Sequence, residues 1–410
     1  ACVIEKHITL SREMEGNDHR VSLLPDEFAQ MVIGIRQIEE SLGSPAVGGR
    51  LCSPGELINR EGLAKSIVAD VDIKKGQIID RKLLGVKSPG RGLQPNRLRD
   101  VIGKVAKRDI SKGRFLYEFD IRDIVSPRKY TIPYEWGIPV RFHDYEFFLN
   151  SSNPKFLEFH LSYNDLLYDI EETFADKKFD VDLTVHSPDV FEEDHLLDLS
   201  SSNKEYRQKS VDNLQKVVDL ANRLRPYFKT DNKTKIIATL GGFTRNHLMT
   251  EDEKKGAYER VAESLNDLTE GETDVIIQTV PPFPWYFGGQ MLLNLFVNSE
   301  EISEFCSTYD RRICLDVSHS QLACNNNGDE TLSDFIQLVK PFVSHMHIAD
   351  AYSIDQEGLQ LGLGDIDFKN IFDNMDSRTT FIPEIWQGHR NFGEECWKAL
   401  EYIERNLVGR

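Results

Sequence analysis

The sequence predicts an α/β chain: a (β/α)8 barrel over residues 137–410, behind a small β-rich module over 63–124 and a short N-terminal segment over 1–50. Three observations carry this. From Pro139 onward, eight short apolar runs alternate with helical stretches, which is the period and size of a (β/α)8 barrel. Residues 63–124 are dense in turns and hold a weak internal repeat. No GxGxxG follows an early strand, which disfavours the doubly wound open sheet, the main alternative.

Taken in order, residues 2–10 form an apolar run that reads as a buried strand. The chain opens on it without an initiator Met or a charged-then-apolar leader, so the natural product is expected to extend upstream. Residues 25–42 show helical spacing (Phe28, Met31, Val32, Ile35, Ile38) after Pro25, with acids in the first turn. Residues 43–62 are rich in Gly, Ser and Pro and read as a linker. In the β-rich module, Asp72-Ile73-Lys74-Lys75-Gly76 returns as Asp109-Ile110-Ser111-Lys112-Gly113. Each copy is expected to end a strand and enter a turn whose Gly takes φ > 0. Residues 125–136 read as a second connector. The eight barrel runs begin at Pro139, Phe156, Val181, Lys235, Asp274, Arg312, Val343 and Thr380. Helices are expected over 206–224, 252–268 and 393–407.

A net charge of −18 argues against a nucleic-acid partner, whose phosphates demand Lys and Arg. No apolar stretch is long enough for a transmembrane helix. The six cysteines are scattered without a CxxC pair, so a reducing, cytoplasmic setting is expected, with Cys314 as core packing.

Polar residues stand where the last four barrel runs end. The fifth ends in Gln278 and the sixth in Asp316, with His319 three residues on. The seventh carries His345 and His347, with Asp350 beyond, and the eighth ends in Glu384. Barrel strands converge at their C-terminal ends, where active sites are built. Carboxylates, an amide oxygen and an imidazole from four consecutive strands can surround one divalent ion (Mn, Mg, Zn or Co). Asp316 alone also reads as a helix cap. His345 is read as alternating with His347, one inward and one toward the helices, with His347 taken as inward beside Asp316 and Glu384. Glu384, inside an apolar run, needs a partner.

The strings Leu315-Asp316-Val317-Ser318-His319, His345-Met346-His347-Ile348-Ala349-Asp350, Gly364-Asp365-Ile366-Asp367-Phe368 and Pro383-Glu384-Ile385-Trp386-Gln387-Gly388-His389 resemble the xylose-isomerase-like (TIM) barrel superfamily. That superfamily includes sugar isomerases, ketose epimerases, inosose dehydratases and endonuclease-IV-type enzymes. The resemblance implies a metal held by Gln278, Asp316, His347 and Glu384. It also implies a substrate contact from His319 and a mouth lined by His186, with Glu158 and His160 as further lining. One departure stands out: ketose epimerases use a pair of glutamates, and Gln278 occupies the place of the first. An amide can ligate an ion but cannot act as a base.

The front end, with Val3-Ile4-Glu5-Lys6-His7-Ile8-Thr9-Leu10, Met14-Glu15-Gly16-Asn17-Asp18-His19 and Leu24-Pro25-Asp26-Glu27-Phe28, resembles the end of a sialic acid (N-acetylneuraminate) synthase barrel. Residues 64–124, with Lys87-Ser88-Pro89-Gly90-Arg91-Gly92-Leu93 and Val101-Ile102-Gly103-Lys104, resemble its SAF (antifreeze-like, β-clip) domain. This implies that His7 corresponds to a synthase metal ligand and that Asp18 and His19 lie near its sugar. Lys87 or Arg91 would stand in for a sugar-contacting Arg, although Arg91 also reads as a solvated turn residue. A homodimer through the SAF region is implied as well. Residues 1–50 cannot close a barrel, so synthase activity is not expected here. The expected function is a divalent-metal-dependent sugar isomerase or epimerase barrel in a sialic-acid-type biosynthetic fusion, acting on a sugar or amino sugar. The rivals are a catalytically silent sugar-binding or regulatory barrel and a phosphoester hydrolase.

Overall fold

A computed structural model describes residues 3–42, 54–286, 289–374, 376 and 378–408. The chain divides into two compact units, Ala1–Ser53 and Pro54–Arg410. In the first unit, an amphipathic helix spans Pro25–Leu42, with Pro25 opening it and Asp26 and Glu27 in its first turn, where the helix dipole favours acids. The N-terminal run differs from the expected buried strand. Val3 is 85% and Ile4 54% exposed, and the run's one bridge is Ile8 to Leu23. A strand is stable only when its backbone is paired along its length, and the described part of this unit supplies one bridge partner.

The second unit begins with a helix, Pro54–Leu63, where a linker was expected; residues 43–53 of that linker lie outside the described residues. Gly55 and Gly62 read as turn signals, but Pro54 at the first helical position and Glu56 in the first turn start a helix that tolerates both. The β-rich module follows, with an antiparallel ladder of Ser66–Ala69 and Leu84–Lys87. Its internal repeat closes on itself. Ile73 and Ile110 exchange both backbone hydrogen bonds, at 2.9 and 2.8 Å. Asp72 accepts from the Lys112 amide (2.7 Å) and Asp109 from the Lys75 amide (2.8 Å), so each copy caps the turn of the other. Gly76 and Gly113 both take φ of 85°, the left-handed conformation these turns need.

The barrel strands are β1 (Gly137–Val140), β2 (Phe156–His160), β3 (Asp182–His186), β4 (Thr234–Ala238), β5 (Thr273–Gln278), β6 (Ile313–Asp316), β7 (Val343–Ile348) and β8 (Thr380–Pro383). They pair in parallel in chain order, and a Trp136–Phe381 bridge closes the ring. All eight expected runs are strands. Helices alternate with them: α1 (Tyr145–Ser151), α2 (Ile170–Phe174), α3 (Lys204–Leu224), α4 (Glu251–Asn266), α5 (Ser299–Tyr309), α6 (Val317–Asn327), α7 (Leu332–Val339), α8 (Phe368–Asn374) and α9 (Arg390–Ile403). Local signals set their starts. Asn203 caps α3 through the amides of Glu205 and Tyr206, and Thr250 forms a capping box with Glu253 at α4. Val211, Leu214, Val217, Val218 and Ala221 then recur at helical spacing and are buried against the strands. Inside the ring, Ile237, Ile276 and Cys314 form a separate apolar cluster on β4, β5 and β6. Cys306, Cys314, Cys324 and Cys396 are free and buried; Cys2 and Cys52 lie outside the described residues. Among the described residues no helix is long and apolar enough to cross a membrane.

Candidate metal centre

The ends of β5, β6, β7 and β8 bring Gln278, Asp316, His347 and Glu384 together. Asp316 serves two purposes. Its Oδ1 caps α6 by accepting from the His319 amide (2.9 Å), and its Oδ2 faces Gln278 Nε2 at 3.2 Å. His347 Nδ1 lies 2.6 Å from Glu384 Oε2, 3.1 Å from Gln278 Nε2 and 3.9 Å from Asp316 Oδ2. His186 Nε2 meets the other end of the amide, Gln278 Oε1, at 3.0 Å. His319 Nδ1 bonds the Thr279 carbonyl (2.9 Å) and sits 3.2 Å from Asp316 Oδ2. Its Nε2 is 3.3 Å from Glu357 Oε2.

His345 does not point toward the helices. Residues two apart on a strand share a face, and both His345 and His347 are fully buried inside the ring. Between them and β2 sits Glu158, also fully buried. Glu158 Oε1 accepts from His160 Nε2 (2.9 Å) and lies 3.0 Å from His347 Nε2, while Oε2 is 2.8 Å from His345 Nε2. His345 Nδ1 meets Thr380 Oγ1 at 2.7 Å, and Lys235 Nζ donates to that same oxygen at 2.7 Å. A polar chain therefore runs through the inside of the barrel from Lys235 through Thr380, His345, Glu158 and His347 to Glu384. Sequence reasoning gave Glu158 and His160 low weight and missed Lys235 and Thr380. The signal was present: Glu158-x-His160 on β2 has the same two-residue period as His345-x-His347 on β7.

The electrostatics follow from this packing. Burial pushes Glu158 upward, but His347 and His345 outweigh it and hold the carboxyl well below its usual range. Burial likewise acts to raise Glu384, and His347 overcomes it, leaving an ionised carboxylate. Burial lowers His345 and His160, each to about 4. His319 would also fall on burial, but Asp316 and Glu357 raise it to about 10.

An ion fits this donor set. His347 turns Nδ1 toward Glu384, Gln278 and Asp316, while its Nε2 lies against Glu158 behind it. His186, His347 and Glu384 offer ligand atoms within 4.8 Å of one another, and Asp316 and Gln278 border them. A second grouping, Cys314, His345 and His347, is less suited because burial pushes the Cys314 thiol up to about 12 and keeps it neutral.

The mouth is covered on one side by the Pro54–Leu63 helix. A Cβ on Gly55 would meet the Trp285 ring at 2.4 Å, and Glu61 binds Arg390 at 2.6 Å and also Gln387. Trp285 lies in the loop after β5, and Gln387 and Arg390 in the loop after β8. The opposite side of this helix holds the β-rich module, where Gly90 donates to the Glu61 carbonyl at 3.2 Å. Of the residues compared earlier to the synthase, His7 and Asp18 lie 3.8 Å apart on an exposed surface of the first unit, and His19 Nδ1 meets Thr9 Oγ1 at 2.7 Å. Lys87 and Arg91 are exposed at the two ends of the Ser88–Gly90 turn.

This eightfold ring matches a family model, the xylose isomerase-like TIM barrel, over residues 155–403, and the chain belongs to that family. Ahead of it, residues 1–46 match the NeuB family and residues 64–122 the SAF domain. The N,N'-diacetyllegionaminic acid synthase of Campylobacter jejuni is 38% identical over 118 residues, which are 29% of this chain and 34% of that one. The human N-acetylneuraminate-9-phosphate synthase is 39% identical over 105 residues, 25% of this chain and 28% of its own. The chain thus spans about a third of the length of these curated relatives. Among solved structures, a D-tagatose 3-epimerase-like protein aligns with a TM-score of 0.46 at 17% identity, over 67% of this chain and 99% of its own. D-psicose 3-epimerase from Clostridium cellulolyticum gives the same TM-score, identity and coverage.

Proposed function

We propose that the barrel is a divalent-metal-dependent sugar isomerase or epimerase, carried behind the closing segment and SAF domain of a nonulosonic-acid synthase. The observation that carries this reading is the convergence of Gln278, Asp316, His347 and Glu384 from four consecutive strand ends on one point. These four residues would hold the ion. When bound, it would polarise a substrate carbonyl or hydroxyl and make the adjacent C–H more acidic. Glu384 is the proton acceptor, since its neighbouring imidazoles keep it ionised. His319, held by Thr279 and Glu357, and His186, held by Ser187 and Gln278, would each exchange one of these bonds for a sugar hydroxyl on binding. Glu158 fixes His347 from behind, as a carboxylate does for a metal-ligating imidazole.

The test is solvent-proton exchange. Protein loaded with Mn, Mg or Co is incubated in D2O with a panel of ketoses and amino sugars, and deuterium at carbon is read by NMR. At least one sugar should gain deuterium, and Glu384→Gln should abolish the exchange. A second reading, a sugar-binding module, is favoured by Gln278, which removes the second carboxylate that a two-glutamate epimerisation needs. Stoichiometric sugar binding with neither deuterium uptake nor conversion of any sugar by the loaded protein would establish that reading and refute the first, whereas conversion without deuterium uptake would assign a hydride shift.

A further inference from the structure

Arg141 is a mouth residue that neither the fold nor the metal-centre reading uses. Strand β1 ends at Val140, which pairs in register with Phe159 of β2, and His160 pairs with His186 of β3. Arg141 therefore falls level with His160 and His186, in the layer where those two rings stack at 4.7 Å. The register also settles the face. Pro139 pairs with Glu158, so Arg141 lies in line with His160 on the side that looks into the ring.

Its guanidinium is poorly provided for. The side chain makes one hydrogen bond, from Nη1 to the carbonyl of Val140 at 3.2 Å. Asp144 accepts from the Arg141 backbone amide (2.7 Å) rather than from the guanidinium. Among the described residues no carboxylate forms an ion pair with this cation, although Asp144, Glu384 and Asp165 act on it through space. Burial is strong enough to lower its pKa. The same cation helps to depress the His389 imidazole, which burial chiefly lowers to about 4. The side chain is half-buried, and its guanidinium keeps donors that no described side chain takes up. This is unexpected in a chain with 67 acidic side chains against 49 basic ones, where a carboxylate partner is easily supplied.

We propose that Arg141 is the anion-recognition residue of the barrel mouth, and that the sugar taken there is acidic, bearing a carboxylate or a phosphate. This rests on the reading of the mouth as a sugar site and deepens it to a substrate class. The planar fork of Arg matches both oxyanions.

Affinities of the full chain for matched probes test this: D-glucuronate against D-glucose for a carboxylate, and D-fructose 6-phosphate against D-fructose for a phosphate. They are measured by calorimetry with and without Mn, on the parent, Arg141→Gln and Arg141→Lys, with folding checked by circular dichroism. At least one acid should bind about tenfold or more tightly than its neutral partner. That preference should vanish in Arg141→Gln and persist in part in Arg141→Lys. Whichever pair shows it identifies the anion. Equal affinity for acid and neutral members, no measurable binding of either acid, or a preference unchanged in Arg141→Gln would overturn the proposal. Retention of the acid preference by a protein that holds no metal would support Arg141 while refuting the metal-centre reading.

Discussion

The β-rich module and the barrel mouth use carboxylates in opposite ways. In the module, Asp72 and Asp109 are exposed, each accepts an amide from the other copy of the repeat, and Asp109 adds a surface ion pair with Lys74. In the barrel, Glu158 and Asp316 are buried and Glu384 is partly so, and all three face imidazoles, Asp316 while also capping α6 through the His319 amide. Burying three carboxylates among histidines gains little stability over an aliphatic interior, such as the Ile237–Ile276–Cys314 wall of the same ring. The contrast teaches that carboxylates which cap exposed turns are accounted for by the fold, whereas carboxylates gathered with imidazoles inside a ring gain too little stability to be accounted for in that way.

Substitutions can break or sharpen this contrast. Glu158→Ala leaves three buried imidazoles without their shared carboxylate and should cost about 3–5 kcal/mol in urea unfolding. Glu158→Gln keeps the volume, and should lower metal affinity about 10–100-fold while the fold survives. Next in size is the pair between the module and the barrel. Arg122 grips Glu394 with two bonds, at 2.8 and 2.7 Å, and Glu394 is almost wholly buried. Glu394→Gln should destabilise by about 2 kcal/mol at neutral pH. Burial alone would raise Glu394, yet Arg122 brings it below its ordinary value. Its contribution is therefore present above the unfolded carboxylate pKa and lost as pH falls through the lower folded one. The gap between parent and variant in denaturant midpoint should be constant near neutrality and close on acidification. A gap that widens in acid would contradict the assignment. The smallest effect belongs to the module's turns. Asp72→Ala and Asp109→Ala should each cost about 1 kcal/mol or less and leave metal content unchanged.

Much of this was legible in the sequence, for physical reasons. Eight apolar runs at a regular interval have one economical parallel arrangement, and Asp316 and Glu384 stand out because each ends such a run. The repeat Asp-Ile-x-x-Gly announced its turns because only Gly takes φ of 85° without strain. The Pro54–Leu63 helix was hidden, since its two glycines signal a turn and the contacts that hold it, to Trp285, Gln387 and Arg390, come from more than 200 positions away. The partnership of His345 with Glu158 was hidden in the same way. It depends on the closure of β8 onto β1, which brings β7 and β2 within reach of each other, a relation that no local pattern contains.

The central claim is that these buried carboxylates and imidazoles hold an ion. Elemental mass spectrometry of the purified chain and of Asp316→Ala tests it most directly. The account predicts about one divalent ion per chain in the parent and its loss in the variant. No ion in either protein, even after incubation with Mn, Zn or Co, would contradict it.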